Sequence, residues 1–236
     1  MDSPFFTLHR GLPREGPGDA ESLDWALGVA APAPDGWVLD AGCGPGADIP
    51  GLLQHVPDGR ILGLDLHAPF VEAARARLGG DPRVTLRAGD MARPEGRFDL
   101  IWCAGALYFL GLEPGLAGWR AALRPGGRVA FSHPVFFVAE PSPGARAFWQ
   151  GDPVSDIAQL RAEVAAAGYE ILATRPLPDA AWEAFYTPMD ARIAALRSGA
   201  PAAALAAVLD AGEAEAAGWR AHAAETGYLQ VVARPA

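Results

Sequence analysis

The chain has 236 residues, of which 50% are hydrophobic and 20% are charged, and its formal net charge is −9. A chain of this length and apolar content can bury a sizeable core, so we expect one folded domain over residues 1–236 rather than a disordered chain. The acidic balance argues against nucleic acid as a partner, and no apolar run is long enough to span a membrane.

Arginine supplies all 19 basic residues, and the chain contains no lysine. This excludes chemistry that needs a lysine, such as a phosphate-binding loop, a Schiff base, or the Tyr-x-x-x-Lys pair of short-chain dehydrogenases. The two cysteines, Cys43 and Cys103, make neither a disulfide framework nor a C-x-x-C motif, and no cluster of metal ligands is visible. Since the first residues lack a signal-peptide pattern, we expect a cytoplasmic protein.

Buried strands alternate with helices along the first part of the chain. We predict strands at 37–42, 60–65, 83–88, 98–103 and 128–134, with helices near 47–56, 69–78 and 113–123. Asp19, directly after a Gly-Pro-Gly sequence at 16–18, is a candidate N-cap. Continuous apolar strands separated by helices are typical of a parallel sheet that is covered on both faces.

The second half departs from this alternation. One more helix and strand are predicted between residues 156 and 176, and a final strand at 228–234. The Ala-rich residues 179–226 between them predict a helical insertion, which we interpret as a cap over the site and, alternatively, as a pair of plain surface helices. The proline-containing segment 134–154 is predicted to be a long loop that borders the site.

The turn after the first strand is rich in glycine. It reads Asp40-Ala-Gly42-Cys-Gly44-Pro-Gly46 and stands between a strand and a helix. In open α/β sheets, ligands bind outside the carboxyl ends of the strands, and glycine lets a ligand approach the backbone. The dinucleotide fingerprint also fits this turn, so the glycines alone do not identify the ligand.

Carboxylates at three predicted strand ends narrow the choice. Asp40 would repel a pyrophosphate but can hold a cationic group, and Asp65 can accept hydrogen bonds from both hydroxyls of a ribose, whichever nucleotide carries it. Asp90 can accept from the amino group of adenine, while the thioether of Met91 packs against the ring. A ligand with an amine, a ribose and an adenine but no phosphate is S-adenosylmethionine, whose demethylated product is S-adenosylhomocysteine.

Five motifs in order resemble those of the class I S-adenosylmethionine-dependent methyltransferases: VLDAGCGPG, LGLDLH, AGDM, FDLIWCAGALYFL and LRPGGRVAFSHP. The resemblance covers about residues 16–177 and the final strand. It implies a Rossmann-like, doubly wound sheet of seven strands in the order 3-2-1-4-5-7-6, with the last strand antiparallel. The start REGPGDAESLDWAL is similar to a bacterial branch that acts on small molecules and often carries an acidic residue where Ala104 stands here.

The resemblance implies a set of residues that contact the cofactor: Asp40, Gly42, Cys43, Gly44, Asp65, Leu66, Asp90, Met91, Cys103 and Gly18. In this set Gly42 and Gly44 face the methionyl part of the cofactor, and Cys103 borders that part. Leu66 packs on the adenine, and Gly18 closes over the cofactor.

Methyl transfer needs an aligned nucleophile and, for an oxygen or carbon acceptor, a base. His133, after the fifth strand, is the candidate base, and Tyr108, after the fourth, is the candidate for orienting the acceptor. The sequence thus favours a methyltransferase acting on a small molecule, with a homodimer as a possible assembly. The alternatives are an NAD(P)-dependent oxidoreductase and a catalytically inactive protein that binds S-adenosylmethionine.

Overall fold

The computed structural model describes residues 3–78, 80–151 and 154–236. The strands are β1 (Trp37–Ala41), β2 (Arg60–Asp65), β3 (Val84–Ala88), β4 (Phe98–Cys103), β5 (Leu123–Phe136), β6 (Ser155–Asp156), β7 (Tyr169–Pro176) and β8 (Thr226–Pro235). The helices are α1 (Pro4–His9), α2 (Ala20–Ala30), α3 (Ile49–His55), α4 (Ala68–Leu78), α5 (Leu112–Trp119), α6 (Pro143–Phe148), α7 (Ile157–Ala166), α8 (Asp179–Arg197) and α9 (Ala203–His222). Two short 3-10 helices cover Leu107–Leu110 and Arg120–Ala122.

The sheet has the order β3-β2-β1-β4-β5-β8-β7, and the two-residue β6 pairs with the end of β5. Strands β1 to β5 run parallel, whereas β8 is antiparallel to both β5 and β7. The predicted α/β sheet and its order are confirmed, with β7 and β8 as the predicted sixth and seventh strands. Because these strands are parallel, the carboxyl ends of β1, β2, β3 and β4 lie side by side at one edge of the sheet.

Both faces of the sheet are buried, as its apolar strands predict. Successive residues of β1 point to opposite faces: Leu39 joins a core cluster with α5 and α7, and Val38 joins another with α2 and α3. Trp119 is fully buried in the first cluster, and Leu27 and Leu52 are buried in the second. Each such side chain stabilises the fold by about 1.5–3 kcal/mol.

The predicted helical insertion between the last two strands is confirmed as α8 and α9, which we call the insertion helices. They pack against α1 in a third cluster, where the rings of Trp182 and Trp219 stack with centroids 5.0 Å apart. Tyr228 of β8 joins this cluster and connects it to the sheet. Among the described residues, no helix combines the length and the apolar character needed to cross a bilayer.

Two short helices correct the sequence interpretation. The segment 134–154 was predicted to be a loop, but β5 continues to Phe136 and α6 follows. Helix α1 was not predicted at all. Both six-residue helices begin with a serine N-cap followed by a proline, and the hydroxyls of Ser3 and Ser142 accept hydrogen bonds from backbone N–H groups three residues on. A helix this short shows no clear apolar period, so only its start is visible in the sequence.

Candidate functional site

The glycine turn after β1 is crowded on its inner side. Gly42, Gly44 and Gly46 have φ values of +76°, +50° and +76°, a region that favours glycine. A Cβ atom at Gly42 would lie 2.5 Å from the Cβ of Ala106 and 3.5 Å from the sulfur of Met91. The turn therefore lies against the loops that follow β3 and β4, as the parallel strand order requires.

Asp65 joins the end of β2 to this turn. Its Oδ2 accepts a hydrogen bond from the backbone N–H of Gly44 at 2.9 Å, and its Oδ1 accepts one from His67 at 2.8 Å. Each carboxylate oxygen still has a free lone pair. The side chain is thus held in place and can accept further hydrogen bonds from a pair of ligand hydroxyls.

Asp40 is a buried carboxylate, with 3% of its surface exposed. Within the described ranges it accepts no hydrogen bond. Burial raises its pKa well above the usual range, and the carboxylates of Asp48 and Asp65 raise it further. A cationic ligand group at this position would favour the charged form of Asp40.

Residues 10–18, which we call the strap, run past the turn. Arg14 donates to Asp48 Oδ1 at 2.6 Å, and the indole N–H of Trp102 donates to Asp48 Oδ2 at 3.0 Å. The backbone N–H of Gly18 donates to the carbonyl of Ala181 at 2.9 Å. The strap is therefore fastened both to the sheet and to helix α8.

Glu15, on the strap, is a site residue that the sequence analysis missed. Its Cγ would lie 3.3 Å from a Cβ at Gly44, and its Oε2 lies 2.5 Å from Nδ1 of His9. The other oxygen, Oε1, is buried without a partner in the described part of the chain, and burial raises the pKa of the carboxyl. Because the strap is irregular, no sequence period could have placed Glu15 beside the turn.

The predicted adenine-side residues follow β2 and β3. Asp90 Oδ1 accepts a hydrogen bond from the N–H of Ala92 at 2.8 Å, and Met91 places its sulfur next to the glycine turn. Leu66 exposes 73% of its surface, which is unusual for a large apolar side chain. An aromatic ring placed on Leu66 would cover this surface.

The two cysteines are buried thiols whose pKa values burial raises, so both stay protonated at neutral pH. Cys103 is fully buried and accepts hydrogen bonds from the backbone N–H groups of Ala106 and Leu107. Its side chain thus shapes the loop after β4, and only its backbone can border a ligand. The structure places Cys43 in the turn, with its sulfur packed against β2 at Gly63.

On the other side of the site, Tyr108 is hydrogen-bonded to Tyr228, whose ring lies 4.9 Å from that of Trp182. A Cβ at Gly105 would lie 3.0 Å from the Tyr228 ring, so this group also packs against the loop after β4. His133 lies on β5, and 6% of its surface is exposed. Its Nδ1 has no hydrogen-bond partner among the described residues. Burial lowers its pKa to about 4.

The lowered pKa of His133 predicts acid sensitivity. Its folded pKa of about 4 lies below the unfolded value of about 6.5. The unfolded chain therefore binds the extra proton between these values, and stability is full above pH 6.5 and falls as the pH drops towards 4. The free energy of unfolding is measured in urea at pH 7.5 and at pH 4.5. We expect its decrease between these two pH values to be about 2 kcal/mol smaller for His133→Leu than for the parent protein. Equal losses would show that His133 is not held neutral by burial.

No group of three or more His, Cys, Asp or Glu side chains in the described residues could hold a metal ion. The chemistry that the site offers is therefore that of hydrogen-bond acceptors, a phenol and a neutral imidazole.

Known proteins with similar sequences include methyltransferases. Residues 38–127 match a family described as a methyltransferase domain. A trans-aconitate 2-methyltransferase of Methylobacterium radiotolerans is 33% identical over 164 residues, which is 63% of this chain and 60% of that protein. The chain spans less than two thirds of the curated relatives it matches, between 29% and 60% for three of them.

Solved structures share the whole fold. An S-adenosylmethionine-dependent methyltransferase of Geobacter sulfurreducens, solved in complex with S-adenosylhomocysteine, has a TM-score of 0.84 at 18% identity and covers 100% of this chain and 99% of its own. The [4+2]-cyclase SpnF has a TM-score of 0.73 at 22% identity, covering 98% of this chain and 92% of its own. The fold alone thus does not decide the reaction.

Proposed function

We propose that this chain is a class I S-adenosylmethionine-dependent methyltransferase and transfers the methyl group of S-adenosylmethionine to a small-molecule acceptor. The observation that carries the proposal is the acidic surrounding of the glycine turn. Asp40, Asp65 and Glu15 lie around it. Arg14 of the strap is bound to Asp48, and Arg77 of α4 donates to the carbonyl of Pro45 in the turn, so the carboxylates outnumber the unpaired cation. This charge distribution favours a cationic ligand and opposes the pyrophosphate of NAD.

The residues fit the parts of this cofactor. We propose that Asp40 faces the ammonium group and that Gly42 and Gly44 lie along the methionyl part. Asp65 accepts from the ribose hydroxyls, while Leu66, Asp90 and Met91 surround the adenine. Cys43, Cys103 and Gly18 contribute through the turn, the loop after β4 and the strap, respectively. When bound, the sulfonium supplies an activated methyl group.

On the acceptor side, the residues have to orient a nucleophile and exclude water. Tyr108 is proposed to orient the acceptor through its phenol, next to Tyr228. His133 is proposed as the base: burial keeps its imidazole neutral, and the lowering of its pKa to about 4 makes it a weaker base than an ordinary histidine. The strap and the insertion helices cover this side and keep water from the reacting atoms.

Binding of S-adenosylhomocysteine is the first test. At about 100 times its dissociation constant, a ligand adds about 2.7 kcal/mol to the free energy of unfolding, a rise of roughly 5–11 °C in melting temperature. We expect this rise with S-adenosylmethionine and S-adenosylhomocysteine and none with NAD(H). A rise with NAD(H) alone would overturn the proposal in favour of an oxidoreductase.

The acceptor is sought next by measuring S-adenosylhomocysteine formation with a panel of small molecules. Trans-aconitate enters the panel because of the 33% identical relative, together with amines and phenols. Binding without turnover on any acceptor would favour the inactive binding protein. A cytoplasmic location, the absence of a nucleic acid partner and a homodimer remain predictions, the last of which light scattering would test.

A further inference from the structure

A second cleft lies at the opposite edge of the sheet from the glycine turn. Its volume is about 360 Å³, and it is formed by the residues just before β4, the first residues of β5 and the end of β8. Five of its ten lining residues are arginines: Arg97, Arg120, Arg124, Arg128 and Arg234. In a chain whose formal net charge is −9, this is a local concentration of positive charge.

Among the described residues, two of these guanidinium groups are paired with side-chain carboxylates. Arg124 lies 2.7 Å from Asp99, and Arg234 lies 2.6 Å from Glu170. With the terminal carboxyl group of Ala236, which accepts from Arg120, the five arginines face three carboxylates, which leaves a surplus of two positive side chains among the described residues.

The other three arginines keep their charge. Arg120 donates to the backbone carbonyl of Gly168 and to an oxygen of the terminal carboxyl group of Ala236, and Arg128 donates to the carbonyls at the C-terminal end of helix α2. These bonds fix the positions of the two guanidinium groups, and in the described part of the chain Arg128 has no carboxylate partner. Arg97 is exposed and forms no hydrogen bond or ion pair with any described residue, so all of its donors are available.

The chemistry of the cleft is that of an oxyanion site. Guanidinium groups bind phosphate oxygens in pairs of parallel hydrogen bonds, and a cleft of this volume lies at the lower end of the range for small-molecule sites. A diphosphate presents two phosphoryl groups, so it can form such pairs of bonds with more than one of the five guanidinium groups. No aromatic side chain lines the cleft, so a nucleotide base would find no ring to stack on.

We propose that this cleft binds a small anion bearing a diphosphate group, at a site separate from that of the proposed methyl donor. Inorganic pyrophosphate is the probe, titrated by calorimetry at constant ionic strength with and without S-adenosylhomocysteine. Arg97→Glu is expected to weaken its binding at least tenfold. Arg161→Glu is the matched control, because Arg161 is an exposed arginine on α7 that lies outside the cleft and, among the described residues, donates only to Thr174. It makes the same change of charge and is expected to leave the affinity within twofold.

Several outcomes would overturn the proposal. They are the absence of binding, equal effects of Arg97→Glu and Arg161→Glu, or sulfate binding as tightly as pyrophosphate. Competition between pyrophosphate and S-adenosylhomocysteine would place the anion at the glycine turn instead. Arg234→Gln, which removes a different guanidinium, is expected to weaken binding too and serves if Arg97→Glu does not fold. ADP distinguishes a free anion from the diphosphate group of a larger molecule. If ADP binds and its binding depends on Arg97, the cleft accepts the diphosphate group of a larger molecule. If pyrophosphate binds and ADP does not, the ligand is a free anion.

Discussion

Replacing Asp65 with asparagine is expected to weaken the binding of S-adenosylhomocysteine by about 100-fold, or about 2.7 kcal/mol. The carboxylate accepts backbone N–H groups of Gly44 and His67 through its two oxygens, and an asparagine would turn an N–H donor towards one of them. The variant would lose the charge that we propose binds the ribose, and it would also misplace the glycine turn. Hydrogen bonds to charged groups contribute about 1.5–3 kcal/mol each, which accounts for the size of the effect. Calorimetric titration measures it.

Asp81→Asn is the matched control for Asp65→Asn. Asp81 also accepts hydrogen bonds through both oxygens, from the backbone and the side chain of Arg83, but it precedes β3 at the far edge of the sheet. This variant is expected to keep the affinity for S-adenosylhomocysteine within twofold. If Asp65→Asn binds as tightly as the parent protein, the assignment of the ribose to the end of β2 is wrong.

The regular part of the fold was readable from the sequence because its signals are local. The runs RILGLD and FDLIWC coincide with β2 and β4, since continuous apolar residues bounded by turn residues define a buried parallel strand. The predicted start of β5 at residue 128 was wrong, since the strand begins at Leu123. The Pro-Gly-Gly sequence was interpreted as a turn, but it lies within the strand, opposite a register irregularity of β4. The cap residue Asp19 was also predicted correctly, and its side chain accepts from Ser22.

The strap could not be predicted in the same way. Arg14 and Asp48 are 34 residues apart, and neither belongs to a periodic pattern that would bring them together. Glu15 and His9 meet because α1 packs on the insertion helices, a contact that only the tertiary structure defines. Strand ends therefore revealed the carboxylates of the turn. Gly18 was the only strap residue among the predicted cofactor contacts, and it was implied by the resemblance rather than by a local signal.

Gly42→Ala is expected to lower the free energy of unfolding by about 2–5 kcal/mol and to abolish measurable binding of S-adenosylhomocysteine. At φ +76°, a side chain costs about 1–2 kcal/mol. The added methyl group would also lie 2.5 Å from the Cβ of Ala106, and overpacking of this kind costs about 1–3 kcal/mol more. Since the turn, the loop after β4 and Met91 meet at this point, relieving the contact must displace the residues proposed to hold the cofactor.

Two further variants separate strain from crowding at Gly42. Gly80→Ala has the same backbone strain, with φ +82°, but nothing lies within 4 Å of its added Cβ, so it should lose only about 1–2 kcal/mol and keep full binding. Ala106→Gly removes the opposing methyl group, and the double variant Gly42→Ala/Ala106→Gly should recover the stability of Gly80→Ala. Urea unfolding and calorimetry measure both quantities. If Gly42→Ala is as mild as Gly80→Ala and still binds the ligand, close contact at the turn is not what excludes a side chain there.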